Sequence, residues 1–223
     1  MKYWNEIVKA SLYKLFIDET DDDADEYTNK MPIIANECLH TIANDIKACV
    51  KSIIIERNKK DLTPYKMPND FIAFAETSPI RVTKDELIEI HPKIMYVSPD
   101  TIILPEVGQY HIFYNATYGD IPSDIAYDSS DETWNDFDLT KSYTATEYNK
   151  YFNTGVEGDE IVFNGIPSSV LECLPTYIAA TLLEQDDLQR SMILRNEYES
   201  MIHRLETNVL FENENFTSPG GWY

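Results

Sequence analysis

The longest periodic segment of the chain is residues 26–56, EYTNKMPIIANECLHTIANDIKACVKSIIIE. Its apolar residues recur every three or four positions over about seven turns, which is the period of one face of an α-helix. An apolar face of this length has to be buried against other helices, so the segment predicts the central helix of a bundle. The face consists of Tyr27, Met31, Ala35, Cys38, Leu39, Ile42, Ile46, Cys49, Val50 and Ile53.

Three further segments predict the helices that pack against it. Residues 3–17 have the same apolar spacing, and Pro175 is placed to be the first helical residue of 175–185. Asp186-Asp187 can cap a last helix over 187–206. The apolar stripe of that last helix is Leu188, Met192, Tyr198, Met201, Ile202 and Leu205. The residues expected to pack the bundle are Leu39, Ile42, Ile46, Tyr177, Ile178, Leu182, Tyr198 and Ile202.

Residues 62–118 follow a different pattern, with six prolines and short β-rich segments between them. The segments are Phe71–Ala75, Leu87–Ile90, Ile94–Val97, Thr101–Leu104 and Tyr110–Tyr114. They predict a small antiparallel β domain inserted after the second helix. Residues 119–160 are acidic and aromatic without a clean period. Such a stretch is either a functional loop or a surface excursion packed by its own aromatic side chains.

The expected fold class is therefore α+β, with a helical bundle built from N- and C-terminal helices. We expect the bundle to comprise 1–61 and 165–207, and the β-rich insertion with its acidic loop to comprise 62–164. The remaining residues, 208–223, form an extended C-terminal arm. This arm carries four aromatic side chains, and Pro219-Gly220-Gly221 precedes the last two of them. Such side chains are typical interface anchors, and those in the arm are Phe211, Phe216, Trp222 and Tyr223.

Charge excludes several classes of function. The chain has 39 Asp and Glu against 18 Lys and Arg, a net charge of −21. Nucleic-acid readers and proteins that bind anionic membranes need clustered cations, and the only basic cluster of this chain is Arg57-Asn58-Lys59-Lys60, which Asp61 follows at once. No apolar run approaches the roughly 18 residues of a membrane span, and the N-terminal residues do not resemble a signal peptide. The hydrophobic content of 43% is too high for a disordered acidic chain.

No arrangement of residues indicates catalysis or metal binding. The three cysteines have no CxxC spacing, so we expect reduced, buried side chains. The acidic run of residues 18–26 lacks the glycine that a calcium loop of EF-hand type requires at its sixth position. The four histidines are isolated, and no GxSxG motif is present. We therefore expect no cofactor, no metal and no enzymatic activity, but a protein that works through contacts.

The order of the elements and three motifs resemble the head–tail connector (adaptor or neck) proteins of tailed double-stranded DNA phages, podovirus-like types in particular. The motifs are residues 25–39, with Asp25-Glu26-Tyr27 and Ala35-Asn36-Glu37-Cys38-Leu39; residues 65–71, Tyr65-Lys66-Met67-Pro68-Asn69-Asp70-Phe71; and residues 174–205, with Leu174-Pro175-Thr176-Tyr177-Ile178-Ala179-Ala180, Asp186-Asp187 and Asn196-Glu197-Tyr198-Glu199.

This resemblance implies a structural virion protein, made in the host cytoplasm and located at the head–tail junction. It implies a homo-oligomeric ring, commonly twelve-fold, that binds the portal protein through the C-terminal arm and contacts tail or further neck proteins. DNA would pass through the lumen without specific binding. Two other readings stay open: a soluble acidic binding module, either a DNA mimic or an adhesion or receptor-binding domain, and an unrecognised hydrolase.

Overall fold

The computed structural model describes residues 1–17, 24–47, 49–75, 79–83, 85, 87–123, 127, 132–152, 155 and 158–216, with backbone only over 208–216. Helices and antiparallel sheets are combined, which confirms the α+β class. The chain divides into two compact units. The first unit comprises Met1–Ile42 with Tyr118–Tyr223, and the second comprises Ala43–Thr117. These boundaries differ from the expected ones at 61/62 and 164/165.

The first unit contains the helices, except for the last three residues of α3, and one small sheet. The helices are α1 (Trp4–Leu15), α2 (Ala24–Thr28), α3 (Met31–Asp45), α4 (Glu132–Asp136), α5 (Ala145–Tyr148), α6 (Ser168–Leu171), α7 (Leu174–Leu182) and α8 (Leu188–Phe216). Helix α7 packs against both α1 and α8. The N-terminal ends of α7 and α8 follow the predicted signals. Pro175 lies in the first turn of α7, and the Asp187 carboxylate accepts from the Arg190 N–H at 3.1 Å.

The predicted second helix over 26–56 is wrong at both ends. Helix α2 stops at Thr28, and α3 begins at Met31 with Pro32 in its first turn, where the missing N–H costs nothing. Helix α3 ends at Asp45, and Lys47 takes a left-handed φ of 54°. Residues 50–57 form a strand, because the β-branched run around Ile53–Ile55 pairs with another strand in place of packing as a helix.

The last helix is longer than predicted. Helix α8 continues to Phe216, where we expected a helix end near residue 206 and an extended arm after it. Residues 207–216, TNVLFENENF, contain neither glycine nor proline, so nothing in the sequence stops the helix before Pro219. The part of the arm over 208–216 is therefore helical in its backbone, and residues 217–223 lie outside the described residues.

The second unit contains two antiparallel sheets. The strands of this unit are β1 (Val50–Arg57), β2 (Pro64–Lys66), β3 (Phe71–Phe74), β4 (Ile80–Val82), β5 (Ile88–Ile90), β6 (Met95–Ser98), β7 (Thr101–Ile103) and β8 (Gly108–Ala116). The larger sheet has the order β1-β8-β4-β5, with β3 also paired to β8, and the smaller has the order β2-β7-β6. The core of the second unit includes Tyr110 and Ile112 of the larger sheet and Ile102 of the smaller sheet. All five predicted β segments are strands, and β1, β2 and β4 were not predicted.

Residues 119–160 belong to the first unit and contain an aromatic core. Phe137 is fully buried, and its ring centroid lies 4.6 Å from that of Tyr143 and 4.9 Å from that of Phe152. Two short strands, β9 (Tyr143–Thr144) and β10 (Ile161–Phe163), pair beside this cluster. Of the two interpretations of this stretch, the described residues match packing by its own aromatic side chains.

Candidate interaction surfaces

Of the residues predicted to pack the helical bundle, some are buried in the core and the others are half-buried. Leu39, Ile42 and Ile178 are buried. Tyr177 and Tyr198 are half-buried and contact each other, with ring centroids 5.0 Å apart. Ile46 is buried but lies beyond the end of α3, and the remaining two, Leu182 and Ile202, are half-buried.

The predicted stripe of α8 is wrong in its first two members. Leu188 and Met192 are exposed, whereas Ser191 and Leu194 are buried. The Ser191 hydroxyl donates to the Ala180 carbonyl at 2.7 Å, so a small polar residue sits where the two helices approach. Sequence periodicity counted apolar side chains only, and it therefore missed Ser191 as part of the inward face.

The two buried cysteines, Cys38 and Cys173, lie in surroundings that favour the neutral thiol. The Cys38 thiol donates to the Tyr198 hydroxyl at 3.4 Å, and burial raises the pKa of Cys38 to about 12. Burial also raises the pKa of Cys173 to about 11. Both side chains are therefore neutral thiols near pH 7 and lack the thiolate that reactivity requires. All three cysteines are free, although Cys49 is only half-buried.

Charge is divided very unequally between the two units. The second unit, 43–117, has nine Lys and Arg against ten Asp and Glu, which gives 9 − 10 = −1. The first unit has the other nine Lys and Arg against 29 Asp and Glu, which gives 9 − 29 = −20. Almost the whole net charge of the chain therefore belongs to the unit that contains the helices. Its surface repels polyanions, and two such units repel each other.

The second unit has an exposed apolar sheet face, which we call the open face. Residues Ile54, His111, Ile80 and Ile90 lie opposite one another across β1, β8, β4 and β5 and therefore share this face. Ile54 and Ile90 are 58% and 64% exposed, and Ile88 on the same face is 70% exposed. The other face of the sheet carries Ile55, Tyr110 and Ile112 into the core. A row of exposed isoleucines on a near-neutral unit is typical of a protein-binding surface.

A second exposed apolar group lies near the start of α8. Leu188, Met192 and Ile193 are each more than half exposed. Beside them the Arg190 guanidinium lies 3.7 Å from the centroid of the Phe16 ring and also donates to the Lys14 carbonyl. These contacts hold the end of α1 against α8.

The predicted arm residues fall partly outside the described structure. Phe211 and Phe216 belong to the C-terminal part of α8, of which only the backbone is described. Trp222 and Tyr223 lie outside the described residues.

Sequence reasoning missed β1, one of the two strands at the ends of the larger sheet, and could not place the other, β5, at the opposite end. Ile54 of β1 was assigned to a helix, although the run Ile53-Ile54-Ile55 after Val50 is a β-branched signal that favours a strand. Ile88 and Ile90 of β5 were placed in a strand, but sequence alone could not show that this strand ends the sheet.

Within the described ranges, no group of three or more potential metal ligands occurs. Most of the acidic run of residues 18–26 lies outside those ranges. Helices that are both long and apolar enough to cross a bilayer are likewise missing from the described part of the chain.

Comparison with known proteins assigns no family to the chain. No protein-family model matches it, and no curated protein matches it significantly. Its function has to be inferred from its own surfaces.

Proposed function

We propose that this chain is a structural virion protein that forms a ring at the head–tail junction of a tailed phage. In that position it binds the portal protein and continues the DNA channel toward the tail. The observation that carries the proposal is the division of the chain into an acidic helical unit of charge −20 and a near-neutral unit with an exposed apolar sheet face. The resemblance of three sequence motifs to those of connector proteins supports the same function.

A channel for DNA needs a wall that does not hold phosphates. A strongly negative surface repels the DNA backbone at distances within the Debye length, which is about 8 Å at physiological ionic strength. The acidic unit is suited to form this wall. The near-neutral unit, which carries exposed isoleucines, is suited to protein contacts within the ring.

The C-terminal segment is the proposed portal anchor. The backbone of helix α8 extends to Phe216, and residues 217–223 add Trp222 and Tyr223 to the sequence. Tyr and Trp side chains bury a large area with few rotatable bonds, which suits an anchor that orders on its partner.

We test the proposal by capture from a lysate that contains virion precursors. Three N-terminally tagged chains are compared: the full-length protein, a chain without residues 217–223, and a chain without 208–223. We expect the full-length protein to capture one portal-sized protein and the chain without 208–223 to capture at least tenfold less. The intermediate chain shows whether Trp222 and Tyr223 carry the binding.

Circular dichroism and thermal unfolding provide the control, since all three chains should fold. Equal capture of the portal-sized protein by all three would contradict the anchor. Capture of no virion protein by any chain would contradict the connector function.

The acidic unit also favours one other function, that of a DNA mimic. A unit of charge −20 would bind a basic DNA-binding protein and displace its DNA. In the capture experiment such a protein would recover a basic DNA-binding protein in place of a portal.

A further inference from the structure

The larger sheet of the second unit has a long free edge at β1. All eight residues of β1 pair in regular register with β8, and β1 has no second neighbour among the described strands. The Cys49 carbonyl accepts from the Ala116 N–H at 2.8 Å, so the odd-numbered residues of β1 bond to β8. The N–H and C=O groups of Val50, Ser52, Ile54 and Glu56 therefore point away from the sheet.

This edge has few of the usual protections against strand pairing, and its one outward charge is that of Glu56. Residues 50–57 contain no proline, and the pairing with β8 has no bulge. Of the four outward residues, none is a lysine or an arginine, and all four side chains are exposed. A regular edge of this length pairs readily with a further strand unless something covers it.

The other end of the sheet, β5, presents the complementary edge. The His91 N–H bonds to the Pro79 carbonyl at 3.1 Å and the Thr83 N–H bonds to the Leu87 carbonyl at 2.9 Å. The odd-numbered residues around β5 therefore face β4, and the backbone groups of Ile88 and Ile90 point outward. No hydrogen-bond partner for these groups occurs among the described residues.

The directions of β1 and β5, and the face that their side chains share, allow the two edges to pair with each other. The sheet runs β1-β8-β4-β5 with every pair antiparallel, so β1 and β5 run in opposite directions. Copies that all point the same way would therefore join β5 to the next β1 in antiparallel fashion. The outward residues of both edges also place their side chains on the same open face, because opposite residues share a face.

The side chains and charges at the two edges favour this contact. Pairing brings Ile54 beside Ile88 and Ile90 and extends the apolar row from one copy to the next. The unit that carries both edges has a net charge of −1, so its copies can approach without the repulsion that two units of −20 would meet. A second copy of the chain therefore offers each free edge an antiparallel partner strand with apolar side chains on the same face.

We infer that neighbouring copies of this chain are joined head to tail by pairing of β1 in one copy with β5 in the next, so that one sheet continues from subunit to subunit. The inference rests on the proposed ring for its closure, whereas the pairing itself does not depend on the portal. Each contact adds at most four main-chain hydrogen bonds from Ile88 and Ile90. We therefore expect the contact to be weak in one pair and stable in a closed ring.

The test is cross-linking between two variants of the full chain. Ile54→Cys and Ile90→Cys are prepared separately with tags of different mass, then mixed and treated with a short thiol-to-thiol cross-linker. The cross-linker has to span about 5 to 8 Å, the range between opposite and diagonal partners in a sheet. It is applied to the concentrated protein and to the complexes captured from lysate. We expect a dimer that contains one copy of each variant.

Two controls accompany the mixture. Ile193→Cys replaces Ile54→Cys in the first, because Ile193 is 61% exposed on α8 and takes no part in the pairing. This mixture should give no dimer above the parent chain with its three natural cysteines. In the second, Ser52→Pro is added to Ile54→Cys and removes an outward N–H without breaking a bond to β8. Its dimer yield should fall at least tenfold while the circular dichroism spectrum is unchanged.

Three results would overturn the inference. Dimers of Ile54→Cys alone would show that β1 pairs with itself. A yield that Ser52→Pro does not reduce would show contact without strand pairing. Absence of mixed dimers in both samples would show that another partner covers the edges, even if the portal is still captured. Conversely, mixed dimers without portal capture would support the pairing and contradict the connector function.

Discussion

Asp138 fixes the turn between α4 and β9. Its side chain is buried and accepts from the Thr140 hydroxyl at 2.6 Å and from the Thr140 N–H at 3.0 Å. Burial raises the pKa of this carboxyl, but the hydrogen bonds from Thr140 and the charge of Lys141 outweigh burial and hold it below its usual value. The ionised form is therefore bound more favourably in the folded state than in the unfolded state.

We predict that Asp138→Asn destabilises the fold by about 1–3 kcal/mol at pH 7, because the hydrogen bonds from Thr140 lose their charged acceptor and become weaker. A folded pKa below the unfolded value of about 3.9 gives stability that is present above that pH and lost as pH falls through the folded pKa. The difference in the free energy of unfolding between the two chains should therefore shrink below about pH 4, as measured by urea unfolding. Asp136→Asn, an exposed change in α4, should leave stability nearly unchanged. An equal loss at pH 7 in both variants would contradict this account.

Elements with one long period and clear ends could be predicted from the sequence. Helices α1 and α7 have apolar faces bounded by recognisable signals, and five of the strands of the second unit stand between prolines. The end of α3 could not be predicted in this way, because Ile46, Cys49, Val50 and Ile53 continue the helical spacing by chance. Strand β1 is stabilised by its eight pairs with β8, a partner more than fifty residues away that no local pattern indicates.

The two features that support the proposals, the acidic unit and the free edges of the larger sheet, differ in how far they could be predicted from the sequence. The charge of the acidic unit is a count of residues and was available at once, although its confinement to one unit required the fold. The free edges depend on sheet order, since only a strand with a single neighbour exposes its backbone. Ile54, Ile88 and Ile90 lie on free edges only because β1 and β5 are the terminal strands in that order.

A pair of proline substitutions tests the orientation of β1 directly. Ser52→Pro removes an outward N–H and Ile53→Pro removes one that bonds to β8. We predict that Ile53→Pro costs about 3 kcal/mol or more, whereas Ser52→Pro costs much less, because proline is tolerated where an edge strand faces away from its neighbour. Urea unfolding of both chains provides the comparison. Equal destabilisation would mean that β1 makes hydrogen bonds along both of its edges, which would contradict the free edge.

For the whole molecule, we propose that an acidic unit that does not hold DNA is combined with a near-neutral unit that binds copies of itself. The two properties belong together in a ring, since repulsion between the acidic units has to be overcome by contacts elsewhere in the chain. Free chains at low concentration are then expected to stay apart, and rings are expected where the portal gathers many copies.

The most direct measurement is the number of copies bound to one portal assembly. Portal complexes captured by the full-length protein are analysed by native mass spectrometry, where each bound copy adds 25.8 kDa. The account predicts a discrete closed set of copies, with twelve the number that the resemblance to connector proteins implies. A single copy per portal assembly, or a broad distribution without a preferred number, would contradict the ring.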